Sequence, residues 1–247
     1  MIRILVVGFM LFSLTAGAVV DEKAGMVILS LGKNFAQLPD SDARALKRKS
    51  EIYNQDTVTT ATNGRLQLRF TDGSRLSLGE GSQFYVEQYQ YAEDAANEGR
   101  SVYKLLKGSL RTITGAISKA DSDNYLLKTP IATIGVRGTD YELTICDRYC
   151  EDDSGDAIGL YGQVFEGIIL AATESQTVDI ISGTHFYISE MGRIQVSSQS
   201  FLNRIEDSMP DFKMEAIPAQ DVSPKIEGNL QQQLDDPGTN ENSNRVR

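Results

Sequence analysis

Arg65-Leu66-Gln67-Leu68-Arg69-Phe70-Thr71-Asp72-Gly73-Ser74-Arg75-Leu76-Ser77-Leu78 is the stretch that decides the fold class. Leu66, Leu68 and Phe70 recur at period two with polar residues between them, the pattern of a strand with one buried face. After Asp72-Gly73 the alternation resumes at Leu76 and Leu78, and Asp-Gly supplies the backbone freedom that a tight connection between antiparallel strands requires. Residues 65–79 are therefore predicted to form a β-hairpin.

Working outward, short apolar runs recur at Phe84–Tyr91, Val102–Leu106, Leu110–Ile113, Tyr125–Lys128 and Tyr141–Ile145, then at Gly159–Phe165, Ile168–Ala171, Val178–Ile181 and Phe186–Ser189. Lys107-Gly108-Ser109, Glu166-Gly167 and Ser182-Gly183 punctuate them as turn signals. That spacing predicts an all-β domain of many short, mostly antiparallel strands in a sandwich or a β-solenoid-like stack. Gly25-Met26-Val27, Gly108-Ser109-Leu110 and Gly167-Ile168-Ile169 share a glycine-led theme that a stacked repeat would produce, although hairpins also place glycine at turns. Asp42–Glu51 has helical composition but only Ala43, Ala45 and Leu46 as apolar content, so with no stripe to pack it is predicted as loop and short strand.

The two ends differ from this middle. Met1-Ile2-Arg3, the apolar run Ile4–Leu14 and Ala16-Gly17-Ala18 make an export signal over residues 1–18, with Val19 as the expected mature start. No later run is long and apolar enough to cross a bilayer, so no transmembrane segment is expected after cleavage. From Ile205 to Arg247, four prolines are scattered among acidic and amide residues without periodicity, and this part is expected to be a flexible tail. The domain expected to fold is 19–204. A formal net charge of −10 argues against nucleic acid as a partner.

Few residues carry chemistry. Cys146 and Cys150 in an exported chain are expected to form a disulfide closing a short loop, the alternative being a thiol pair on a metal. His185, the one histidine, lies in a strand-like run with no G-x-S-x-G elbow, so a hydrolytic triad is not expected. Asp147, Glu151, Asp152, Asp153 and Asp156 cluster around Gly155; Asp152, Asp153 and Asp156 are the calcium candidates, although the spacing is not that of an EF-hand and a solvated acidic loop is the plainer reading. Tyr85, Tyr89 and Tyr91 stand at strand period opposite Phe84 and Val86, and would share one outer side. No cofactor is expected.

Thr129-Pro130-Ile131-Ala132-Thr133-Ile134-Gly135-Val136-Arg137-Gly138-Thr139-Asp140-Tyr141 resembles the signature of the FecR domain family, T-P-x-A-x-x-G-x-R-G-T leading into a strand. Phe70-Thr71-Asp72-Gly73-Ser74 and Leu106-Lys107-Gly108-Ser109-Leu110-Arg111 resemble two further family segments, and Asp56–Thr60 resembles its entry, with Gln55 where glycine is usual. The resemblance covers about residues 50–190. Read physically, Pro130 holds Thr129 extended, Gly135 and Gly138 permit backbone turns, and Arg137 is expected to hold Asp140 or backbone carbonyls in its planar fork. Asp72, Gly73, Thr129, Pro130, Gly135, Arg137, Gly138, Thr139 and Asp140 are thus the binding or motif residues.

Regulators of this family resemble a three-part device: a cytoplasmic anti-sigma segment, a membrane helix and a periplasmic domain that contacts an outer-membrane receptor. The present chain is expected to carry only the third part. The resemblance implies a non-enzymatic protein-binding or scaffold module, periplasmic or secreted, engaging an envelope protein such as an outer-membrane receptor or secretion component through strand edges or the tyrosine face. The alternative is a calcium- or glycan-binding envelope module.

Overall fold

The computed structural model describes residues 22–148, 150 and 156–201. The export signal, the tail from 205 and the calcium candidates Asp152 and Asp153 lie outside the described residues. Within them, fifteen strands form one continuously hydrogen-bonded sheet. No helix among the described residues is long and apolar enough to cross a membrane.

The predicted hairpin is present as β6 (Arg65–Phe70) and β7 (Arg75–Leu78), with Leu66 opposite Leu78 and Leu68 opposite Leu76. Three long strands carry the rest: β9 (Arg100–Ile113), β11 (Thr133–Cys146) and β12 (Gly159–Ala172). Each contains a glycine of positive φ near its middle, Gly108 at 81°, Gly138 at 58° and Gly167 at 76°. The sequence reading took Gly108 and Gly167 as turns between separate strands. They are corners within single strands, because a left-handed residue redirects the strand while pairing resumes on either side.

The partners change at these corners. Before Gly108, β9 pairs with β8 (Gln83–Gln90) and runs parallel to β10 (Tyr125–Lys128); from Gly108 onward it pairs with β7 and the second half of β11. The first half of β11 pairs with the second half of β12, which also carries β13 (Thr177–Ile181). The first half of β12 carries β14 (Thr184–Ser189) and, through it, β15 (Ile194–Ser197). One layer thus ends at β13, continuing on its other side from β8 through β5 (Thr57–Thr60) and β2 (Asn34–Gln37) to β3 (Arg44–Ala45). The other layer runs from β15 to β1 (Lys23–Leu31) and β4 (Glu51–Tyr53).

The inner faces of both layers contribute to one core, including Phe84, Leu105, Leu127 and Ile134 from the first and Leu66, Leu78, Leu143 and Phe186 from the second. Aromatic rings connect them: the Phe70 centroid lies 5.3 Å from Tyr89 and 5.1 Å from Tyr103. Burying each such side chain stabilises the fold by roughly 1.5–3 kcal/mol relative to exposure. Among the described residues all pairings are antiparallel except β9–β10. Stacked parallel coils are therefore not the organising form, and the glycine-led repeat dissolves: Gly108 and Gly167 are corners, whereas Gly25 sits inside β1 against Arg69.

Residues 42–51 contain no helix; β3 is followed by a turn and Leu46 docks into the core. A short helix α1 (Ala116–Ala120) follows β9 and was not evident from composition.

Candidate functional site

Two arrangements matter: the place where the sequence motifs meet, and a sheet edge beside it. The motif Thr129–Tyr141 begins as a turn, in which the Thr129 hydroxyl accepts from the Ile131 and Ala132 amides at 3.2 and 2.9 Å. Pro130 sits inside this turn, where its missing N–H costs nothing. Thr139, 2% exposed, donates its hydroxyl to the Ile168 carbonyl at 3.0 Å, and its amide donates to the Thr114 hydroxyl at 2.9 Å. Gly138 and Gly167 lie back to back, since a Cβ on Gly167 would come within 2.3 Å of the Gly138 carbonyl oxygen.

The hairpin motif arrives at the same place. Asp72 accepts from the Ser74 amide and hydroxyl at 3.0 and 2.6 Å, while its carbonyl takes the Ala116 amide at 2.9 Å. The Tyr89 hydroxyl accepts from the Asp72 amide at 2.8 Å. Gly115 is packed so closely that a Cβ there would meet the Asp72 carboxylate at 2.5 Å. Segments 70–74, 114–116 and 137–140 therefore interlock through Thr114 and Gly115. A shallow concavity of about 420 Å³ opens beside them, lined by Asp72, Gly73, Arg75, Thr114 and Lys119.

Asp140 is held by Arg111, not by Arg137: the Arg111 Nε and Nη2 donate to its two carboxylate oxygens at 3.0 and 2.9 Å. The Arg111 guanidinium also lies 4.1 Å from the Phe165 ring centroid. The Asp140 fork holds the Arg111 pKa above its ordinary value. Arg137, expected to make this pair, is instead exposed, with no side-chain hydrogen bond or ion pair among the described residues. The reason is the corner: Gly138 redirects the chain, so Arg137 and Asp140 fall on different parts of the sheet, opposite Ile168 and Ile113 respectively. Arg111 was within reach of the sequence reading, because alternation in Leu110-Arg111-Thr112 already set it apart from the core-facing Leu110.

Glu142, the next residue on that outer face, has its carboxyl pKa raised by burial, with Arg111 offsetting part of the effect. Inside the core, burial raises the hydroxyl pKa of Tyr103, Tyr125 and Tyr141, and the Tyr125 and Tyr141 hydroxyls lie 2.8 Å apart. These phenols remain protonated; Tyr125 and Tyr141 pair with each other, whereas the buried Tyr103 hydroxyl makes no hydrogen bond among the described residues.

The tyrosine row is corrected. A bulge between Val86 and Gln88 shifts the phase of β8, so Tyr89 joins Phe84 and Val86 inside, 2% exposed, and its amide donates to the Asn54 side chain at 3.0 Å. Tyr85 remains outside with Lys104 above its ring, and Tyr91 packs against the core. A shared tyrosine face does not exist.

Among the remaining candidates, Cys146 and Cys150 are joined by a disulfide, with Cα atoms 5.1 Å apart. Asp156 is 4% exposed. His185 sits in β14 between Gln163 and Ser197, its pKa lowered by burial, with no side-chain hydrogen bond among the described residues. At the family-like entry, Asp56 is fully buried and held by a two-pronged contact from Arg44 and by the Tyr53 amide at 2.8 Å. Gln55, where the family has glycine, has φ 67°.

The second arrangement is the edge at β13. Among the described residues it pairs with β12 alone, and the other edge strands β3, β4 and β15 are shorter. Ile180 faces the core, while Ile181 is 57% exposed and Leu170, on the neighbouring strand, 42%.

Residues 56–165 match the family model described as FecR protein. No curated protein matches the chain. Two crystal structures of a candidate anti-sigma factor from Parabacteroides distasonis ATCC 8503 are similar to it at 11% and 10% identity, with TM-scores of 0.43 and 0.44; each alignment covers 58% of this chain and 60% of that one. The chain therefore spans less than two thirds of these neighbours. The matched range takes in the entry at Asp56, the hairpin motif, the central corner and the whole of Thr129–Tyr141, so that over residues 56–165 the chain is similar to the FecR protein family.

Proposed function

We propose that the chain is a non-enzymatic, exported envelope module of the FecR sensor type that binds another protein, with residues 1–18 as its export signal, 19–204 as the folded domain and 205–247 as a flexible tail. The observation that carries this reading is the contrast between its two arrangements. The motif side chains Asp72, Thr139 and Asp140 are enclosed by contacts within the chain. The β13 edge, by contrast, has no second pairing strand among the described residues and is flanked by exposed Ile181 and Leu170. Unpaired strand edges with apolar side chains beside them are the surfaces on which proteins add a partner strand.

The partner class follows from the family and the export signal: an envelope protein such as an outer-membrane receptor or a secretion component, met in the periplasm or outside the cell. The test is an in-cell crosslinking pull-down of the tagged mature protein from envelope fractions. Enrichment of one envelope protein supports the module reading; recovery of peptidoglycan or lipid-linked glycan alone contradicts it.

A further inference from the structure

We infer that β13 is the docking edge for an extended segment of another protein carrying the pattern aliphatic-x-basic, laid antiparallel with its basic residue facing Asp179 and its aliphatic residue facing Ile181. The inference rests on the protein-binding reading above and deepens it.

The backbone fixes which groups are offered. The β12–β13 ladder is closed at one end by the Thr173 amide donating to the Gln176 carbonyl at 2.9 Å, and at the other by the Ser182 amide donating to the Gly167 carbonyl at 3.1 Å. Antiparallel pairs alternate between bonded and non-bonded, so Val178 and Ile180 direct their backbone groups at β12. Thr177, Asp179 and Ile181 consequently direct theirs out of the sheet. The Ile181 carbonyl accepts from the Thr184 hydroxyl, which, among the described residues, leaves the N–H and C=O of Thr177 and Asp179 and the N–H of Ile181 for an added strand.

The side chains fix what that strand must carry. Val178 and Ile180 pack toward the core, so Thr177, Asp179 and Ile181 share the outer face with Leu170, the cross-strand neighbour of Asp179, and Ile168, that of Ile181. Asp179 is exposed and makes no ion pair among the described residues. A second copy paired about its own Asp179 would set two carboxylates opposite one another, which repels; a Lys or Arg from a different chain attracts. Two residues earlier on an antiparallel partner, an aliphatic side chain meets Ile181.

The test uses two labelled peptides, acetyl-Thr-Val-Leu-Thr-Lys-Val-Thr-amide and its counterpart with Glu for Lys, titrated by fluorescence anisotropy against the full chain. Wild type is expected to prefer the Lys peptide by about tenfold, and Asp179→Lys to reverse that preference. Ile181→Ser should weaken the Lys peptide while leaving the preference for it. Equal affinities for both peptides, an unreversed preference in Asp179→Lys, or no saturable binding overturns the inference. So does self-association abolished by Ile181→Ser, which would make the occupant a second copy. In the envelope pull-down, a partner captured equally by wild type and Asp179→Lys sinks this edge while sparing the module; capture by neither sinks the module itself.

Discussion

The motif corner and the β13 edge meet along the long strand β12 and have opposite character. At the corner, Gly138 and Gly167 face each other, Thr139 is 2% exposed, and Asp140 is gripped by Arg111. At the edge, Ile181 is 57% exposed and alternate backbone groups face outward. The residues that make the sequence recognisable are the ones that bend its strands into two layers. The proposed binding edge lies where the motif stops. In this chain the signature is therefore read first as architecture, and the partner surface is sought on less distinctive residues beside it.

Substitutions at the two places should separate them. The largest effect belongs to Gly167→Ala: a left-handed φ and a backbone oxygen 2.3 Å from the new Cβ together should destabilise by about 3 kcal/mol or more. Gly138→Ala at φ 58° has nothing within 4 Å and should cost only about 1 kcal/mol. Urea denaturation of the pair measures the difference; equal losses would mean that the two glycines do not meet. Asp140→Ala, which removes the carboxylate gripped by the Arg111 fork, is expected to cost about 2 kcal/mol in the same assay.

Gln55→Gly runs the other way. Glycine relieves the φ of 67° at some cost in unfolded-chain entropy, so a net gain of roughly 0.5–1 kcal/mol is expected by thermal melting. Glu142→Gln sharpens the electrostatics of the corner's outer face. A carboxyl with a raised folded pKa favours the folded state while protonated and loses that advantage as pH rises through the folded value. The variant should therefore be more stable than wild type at pH 7, with the gap closing as pH falls toward 4; a gap that widens in acid would contradict the burial effect. Smallest of all, Ile181→Ser should change stability by less than about 0.5 kcal/mol, as expected for an exposed edge side chain.

What the sequence made legible was local. The hairpin at 65–79 could be read because its strands and turn are contiguous, and the segments after it because alternation survives in each. Gly108 and Gly167 misled because a glycine at a hairpin and a glycine at a corner are alike in one dimension; only the partner strands on either side distinguish them. Tyr89 was placed outside because a bulge displaces the phase of β8 without leaving a mark on residue type. Asp140 was matched to Arg137, three residues away, whereas its partner Arg111 comes from a different strand. Gln55 was noticed only as a departure from the family, and its positive φ supplies the reason glycine suits that position. The openness of β13 was not readable at all, since whether a strand lies at an edge depends on every other pairing in the sheet.

Site-specific photocrosslinking in cells, with the reactive side chain introduced in turn at Thr177 on the β13 edge and at Arg75 beside the motif corner, distinguishes the two surfaces. A discrete adduct with an envelope protein is expected from position 177 and none from position 75; an adduct from position 75 alone would make the motif corner the binding surface and the β13 edge incidental.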